Sequence, residues 1–283
     1  MADLYYRIQW HPAFYAVLEV VKKRIMETDR VERYEFISEY NLGKQPMRID
    51  LVIREKEIAG NSHKKTEVDN EIFRIMKKHN IIEYKSPEDV LTIDDFFKTL
   101  AYAFLYKGSG EKVNQITFED ISVSIFCSNY PKKVFELLSF HEFEIDEKYP
   151  GIYYVTGNIP MPVQIVVISQ LTPEKHSALR ILSTNVDKED VRRFINEVSS
   201  ITEPYDLENA YAALQASISA NYEIYEEIRR EHVMCDALER LMKDVIDKRV
   251  EDARIVAELE GKKKGEMEGR IEGRMEGRIE AIK

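Results

Sequence analysis

Cysteine is nearly absent from this chain. Cys127 and Cys235 are the only two in 283 residues. They fall in an expected strand and an expected helix, and neither belongs to a Cys-x-x-Cys or Cys/His spacing. That excludes a disulfide framework and a zinc site and leaves two reduced thiols. His11, His63, His79, His141, His176 and His232 are scattered, without ligand spacing. No residue set forms a Ser-His-Asp or Cys-His nucleophile arrangement. There is no Walker loop and no Gly-x-Gly-x-x-Gly. Long apolar runs are missing too. The best, Ile165-Val166-Val167-Ile168, is far too short to cross a membrane. The N-terminus lacks a basic region followed by an apolar stretch, so no signal peptide is expected. These absences point to the cytoplasm and to no membrane partner. An excess of positive charge is also lacking. The formal net charge is −10, which argues against coating nucleic acid through bulk charge. It leaves room for a site that needs only local positive charge and a metal.

What is present is a globular composition, 44% hydrophobic and 33% charged. The length suits one sizeable core plus a smaller module. Periodicity predicts a helix over 12–27, opened by Pro12. A strand follows from Tyr34 to Tyr40, closed by Asn41-Leu42-Gly43, and a second strand carries Asp50. Ile72, Phe73, Ile75 and Met76 recur at helical spacing and predict a short helix over 69–78. The strand carrying Glu83 ends at Ser86-Pro87. Asp94 or Asp95 caps an apolar helix that runs to about Lys107. Ile121 to Phe126 is almost continuously apolar, as a central strand covered on both faces would be. Pro131 opens a helix to about Phe140. Phe143 to Tyr149 and Ile152 to Thr156 read as a hairpin around Pro150-Gly151, and Val163 to Ser169 as another buried strand. The order implies an α/β sandwich with a mixed sheet. The step from Glu83 to Ile121 is the one expected to be parallel and right-handed.

After Leu171 the chain turns helical, with helix starts at Thr172-Pro173 and Asp187. Helices are expected over 187–199, 206–219 and 221–260, broken at Glu203-Pro204. From Gly261 a period of four sets in: Gly261, Gly265, Gly269, Gly273 and Gly277 recur in step with Met267, Ile271, Met275 and Ile279. Glu268, Glu272, Glu276 and Glu280 interleave with Arg270, Arg274 and Arg278, a pattern suited to charge pairing. Glycine disfavours a lone helix by about 1 kcal/mol per position. The tail is therefore expected to be partly disordered, or to self-associate. The organisation expected is a domain over 1–171, a helical module over 172–260 and the repeat tail over 261–283. Any homo-oligomer would form through the C-terminal region.

The chemistry concentrates in two short stretches, Arg48-Ile49-Asp50-Leu51-Val52-Ile53 and Ile81-Ile82-Glu83-Tyr84-Lys85-Ser86. Side chains alternate between the faces of a strand, so Glu83 and Lys85 share a face, as do Arg48 and Asp50. If the strands pair in register, two carboxylates and an ammonium converge. Mg²⁺ is held by one or two carboxylates together with phosphate oxygens, and Mn²⁺ suits the same donors. A lysine beside such a cation orients water or the scissile phosphate. Against this, charged residues often mark only a solvated strand face. The basic pairs Lys64-Lys65, Lys77-Lys78 and Lys132-Lys133 are candidates for a local positive field, or simply solvated surface.

Around these residues the chain resembles the PD-(D/E)XK nuclease superfamily, with its restriction-endonuclease-like core. The pattern is Gly43, Arg48-Ile49-Asp50, Glu83-Tyr84-Lys85, then a helix with Lys98-Thr99-Leu100-Ala101-Tyr102. RecB-type members are similar but carry Gln where Lys98 stands. The chain looks most like the Rpn-type group of recombination-promoting nucleases and transposase-like proteins, with its clostridial-like relatives. The resemblance implies a metal-dependent DNA endonuclease tied to mobile elements or recombination. Asp50 and Glu83 would hold Mg²⁺ (or Mn²⁺), and Lys85 would be the catalytic lysine. Glu19 matches the acid that many members add from the first helix, or else pairs with Lys23 on the surface. Lys98 and Tyr102 lie on one helix face with Tyr106. That face touches the nucleic acid or the Lys85 region, unless the tyrosines pack in the core. The rival reading is a drifted binding module with an oligomerising helical tail.

Overall fold

Seven strands form a single mixed sheet in the order β1-β2-β3-β4-β7-β6-β5. The computed structural model describes residues 10–26, 34–41, 48–55 and 70–231. The strands are β1 (Tyr34–Asn41), β2 (Arg48–Glu55), β3 (His79–Lys85), β4 (Ile121–Cys127), β5 (Glu144–Tyr149), β6 (Ile152–Thr156) and β7 (Val163–Val167). The first three pair antiparallel, β3 and β4 parallel, β4 and β7 parallel, and the β7-β6-β5 half antiparallel again. Every residue of β4 is buried. Its apolar run follows from its place, since parallel strands flank both its edges and helices cover the sheet.

The β3-to-β4 step is parallel, as the sequence predicts, and α2 (Ile93–Lys107) makes the crossover. Strand polarity sorts the core into two faces. Ile81, Val123, Ile125, Cys127, Val163, Ile165 and Val167 pack with Phe96, Leu100, Ala103 and Tyr106 of α2 and with Val134 and Leu138 of α3 (Lys132–Phe140). On the other face Phe14 of α1 (Trp10–Met26) stacks on Tyr84, ring centroids 4.1 Å apart, and meets Phe126 edge-on. Helices α4 (Pro173–Arg180), α5 (Lys188–Ser199), α6 (Pro204–Ala220) and α7 (Tyr222–Arg230) follow, and α6 packs on α1. The described residues fall within one compact unit. The hairpin at Gly151 is as expected. This residue has φ +74°, and a Cβ there would lie 2.8 Å from Val167 O, so only glycine fits without strain.

Two expectations are corrected. The apolar spacing at 69–78 yields only a 3-10 turn, Glu71–Ile75. Its Ile72 carbonyl is taken by the buried Gln164 side chain, 2.8 Å away, which leaves that acceptor engaged across the sheet. Helix α2 is capped by Thr92 and not by Asp94 or Asp95; Asp95 is the third helical residue and closes a capping box with Thr92. The helix expected over 221–260 is described only as α7, and the repeat tail lies outside the described residues.

Candidate active site

The register of β2 on β3 sets Leu51 opposite Ile82 and Val52 opposite Ile81. Carried one residue further, it sets Asp50 against Glu83 on one face, although 23 residues separate the end of β2 at Glu55 from the start of β3 at His79. Beyond Leu51 the Asp50 side chain enters the join itself: its Oδ2 accepts from the Tyr84 backbone N–H at 2.9 Å. A carboxylate that takes a backbone donor of the neighbouring strand is fixed in place by the sheet. Glu83 is 7% exposed, one residue along. The Lys85 ammonium lies 3.3 Å from Glu83 Oε1 and 2.9 Å from Asp95 Oδ1. The three expected residues therefore meet at the open end of the β2-β3 pair, beside the first turn of α2.

Charge at this spot is not balanced. Burial pushes the Glu83 carboxyl up to about 7, and the Asp50 charge adds to the rise, while Lys85 and Lys98 oppose it. Burial also raises Asp50, against the Tyr84 N–H, His11, Lys85 and Lys98. Burial works against the Lys85 charge, but Asp95 and Glu83 outweigh it and hold the ammonium above its ordinary value. A buried and a half-buried acid that resist ionisation together are the situation that an added cation relieves.

The remaining expected residues fare differently. Lys98 is exposed on α2, its Nζ 5.6 Å from the Tyr102 ring centre, and its charge reaches both acids. Tyr102 is 6% exposed in the core under α2, which withdraws it from a nucleic-acid contact. Tyr106 is buried and bonds His79 Nδ1 through its hydroxyl at 2.9 Å. Glu19 is half-buried on α1 and is not among the main charges acting on Asp50 or Glu83. Eight residues along a helix is about 12 Å, and it is His11, eight residues before Glu19, that α1 presents to the site. Its Nδ1 lies 3.9 Å from Asp50 Oδ1 and its ring meets Tyr84 edge-on. No ligand spacing surrounds His11 in the sequence; its position at the start of the first helix is the signal that the sequence offers for it. In the sequence Asp95 is legible as a cap alone. Of the basic pairs, Lys78 is bound to Asp120 and Lys132 to Glu136, while Lys64 and Lys65 lie outside the described residues.

Asp50 and Glu83 offer the hard oxygen donors that Mg²⁺ or Mn²⁺ takes. Among the described residues no group of three His, Cys, Asp or Glu is arranged to hold a metal by itself, so the rest of a coordination shell would come from water and substrate. No helix among the described residues is long and apolar enough to cross a membrane. No family model, curated protein or solved structure matches the chain.

Proposed function

We propose that the chain is a metal-dependent phosphodiesterase of the PD-(D/E)XK type that acts on DNA as an endonuclease. The observation that carries this reading is the convergence of Asp50, Glu83 and Lys85 at the end of two paired strands, with both acids raised by burial. The order α1-β1-β2-β3-α2-β4, antiparallel up to β3 and parallel into β4, supports a restriction-endonuclease-like core.

Asp50 and Glu83 would hold Mg²⁺ or Mn²⁺. Bound by these two carboxylates, a divalent cation would supply an acidified water and offset charge gathering on phosphorus. The protein's own groups do the rest. The Tyr84 N–H keeps Asp50 in place. Lys85 holds a positive charge beside Glu83, where it binds a phosphate oxygen or orients the attacking water. Lys98 adds a second positive charge on the open side, and His11 stands next to Asp50. The link to mobile elements or recombination rests on the motif resemblance alone.

Supercoiled plasmid incubated with Mg²⁺, with Mn²⁺ and with chelator, beside Lys85→Ala, tests the reading. Nicking that requires metal and vanishes in the variant is expected. Intact plasmid under every condition, for both proteins, moves the assignment to a binding module that keeps the arrangement without the reaction.

A further inference from the structure

Asp95 uses both of its carboxylate oxygens. Oδ2 accepts from Thr92 N at 3.1 Å and from the Thr92 hydroxyl at 2.6 Å, which closes the cap on α2. Oδ1 lies 2.9 Å from Lys85 Nζ. The cap needs only the first of these. The contact of Lys85 with Glu83 is longer, 3.3 Å, against about 2.7–2.9 Å for a close charge-assisted pair. The ammonium is thus drawn toward α2 and away from Glu83.

We propose that Asp95 is a positioning residue for Lys85: it tethers the ammonium to the first turn of α2. Glu83 then keeps its oxygens for a cation, and Lys85 keeps a free N–H for phosphate or water. This deepens the phosphodiesterase reading and rests on it. Lysine carries three donors on a flexible four-carbon stem. With Glu83 as its only partner, at 3.3 Å, the ammonium would swing on its stem between that carboxylate and solvent, neutralising Glu83 part of the time. Asp95 suits the task because its other oxygen is already bonded to Thr92. The capping box fixes it, and the N-terminus of a helix favours its negative charge. The tether also couples α2 to the site twice, since the same helix carries Lys98.

The full-length chain with Asp95→Asn and Asp95→Glu tests this. Asparagine preserves the shape and an acceptor for Thr92 but removes the charge; glutamate restores the charge one methylene further out. The first measurement is NMR of ¹³C-labelled lysine, with the Lys85 ε-methylene assigned through Lys85→Arg. A held ammonium gives two separate ε-proton signals and a free one gives a single averaged signal. Two signals are expected in the wild type and in Asp95→Glu, and one in Asp95→Asn, with thermal unfolding showing that all are folded. The second measurement is plasmid nicking with Mg²⁺. Asp95→Asn is expected to lose roughly ten- to a hundredfold in kcat, as small misplacements do, with KM little changed. Asp95→Glu is expected to recover most of that loss. Unchanged Lys85 signals in Asp95→Asn overturn the proposal, whatever the nicking does. So does a freed Lys85 that nicks at the wild-type rate. A wild type that nicks nothing removes the phosphodiesterase reading, while the Lys85 signals still decide the tether.

Discussion

Polar side chains are held on both faces of the same sheet, and the two groups differ in charge. On the face covered by α1, Asn80 and Gln164 are buried and neutral. Asn80 accepts from Ser122 Oγ and Lys77 N and donates to Ile53 O and Lys77 O, all within 3.0 Å. Gln164 donates to Ser124 Oγ and Ile72 O at 2.8 Å, while its Oε1 is buried without a hydrogen-bond partner. On the face covered by α2 the group is charged: the buried Glu83 and the half-buried Asp50 both feel Lys85, which contacts Glu83 and Asp95. Neutral groups with their hydrogen bonds made stabilise a fold. Charged groups held together against their own titration mark a site. The first group ties β2, β3, β4, β7 and the Glu71–Ile75 turn together. The second is where binding or chemistry would be found.

Substitutions should separate the two groups. Lys85→Ala should give the largest effect, a loss of nicking of roughly 10²–10³-fold, measured as initial rates with Mg²⁺. A residual rate within tenfold of wild type would remove Lys85 from the chemistry. Asn80→Ala should do the reverse. It leaves several buried backbone and hydroxyl groups without partners and should lower stability by about 3 kcal/mol. For a unit of this size that is a fall of roughly 6–12 °C in Tm, and the folded protein should still nick at the wild-type rate.

Glu83→Gln sharpens the contrast through pH. A carboxyl raised from its ordinary 4.5 to about 7 binds its proton more tightly when folded. Its contribution to stability is present below pH 4.5 and is lost as pH rises through about 7. Removing the titrating group should therefore make the variant more stable relative to wild type at pH 8 than at pH 5, by on the order of 3 kcal/mol. Denaturant melts at the two pH values measure it, and a difference that does not change with pH would contradict the electrostatic account. On the far side the sign reverses. His176 is held below its ordinary 6.5, chiefly by burial, with the partly opposing pull of Glu71, 3.5 Å away. Its neutral form is the one that folds, so stability falls as pH drops below 6.5. His176→Gln should flatten the decline between pH 7 and pH 5, the smallest of these effects. A steeper decline would reverse the assignment.

Much of the arrangement was written locally. The alternation in Arg48–Ile53 and Ile81–Lys85 placed Asp50, Glu83 and Lys85 on shared faces, because strand geometry depends only on neighbours. The apolar run at Ile121 and the turn at Gly151 were legible for the same reason. What escaped was set by distance or by competition. His11 reaches Asp50 through packing of α1 on the sheet, which no spacing encodes. The position of β7 between β4 and β6 is a non-local pairing. At 69–78 the apolar spacing was sound, but the Gln164 side chain claims a carbonyl of that turn. Thr92 was missed because Asp94 and Asp95 are themselves good caps; the Thr-x-x-Asp spacing was the signal that distinguished them. The burial of Tyr102 follows from its place on the inner side of α2, the same side as Phe96, Ala103 and Tyr106.

The central claim is that the pair Asp50 and Glu83 is a cation site. Calorimetric titration of the wild type and Glu83→Gln with Mn²⁺ at pH 7, in two buffers of different ionisation enthalpy, tests it most directly. The account predicts a saturable Mn²⁺ site in the wild type, proton release on binding because Glu83 is partly protonated near pH 7, and loss of both in the variant. Equal heats for the two proteins, or no binding by either, would contradict it.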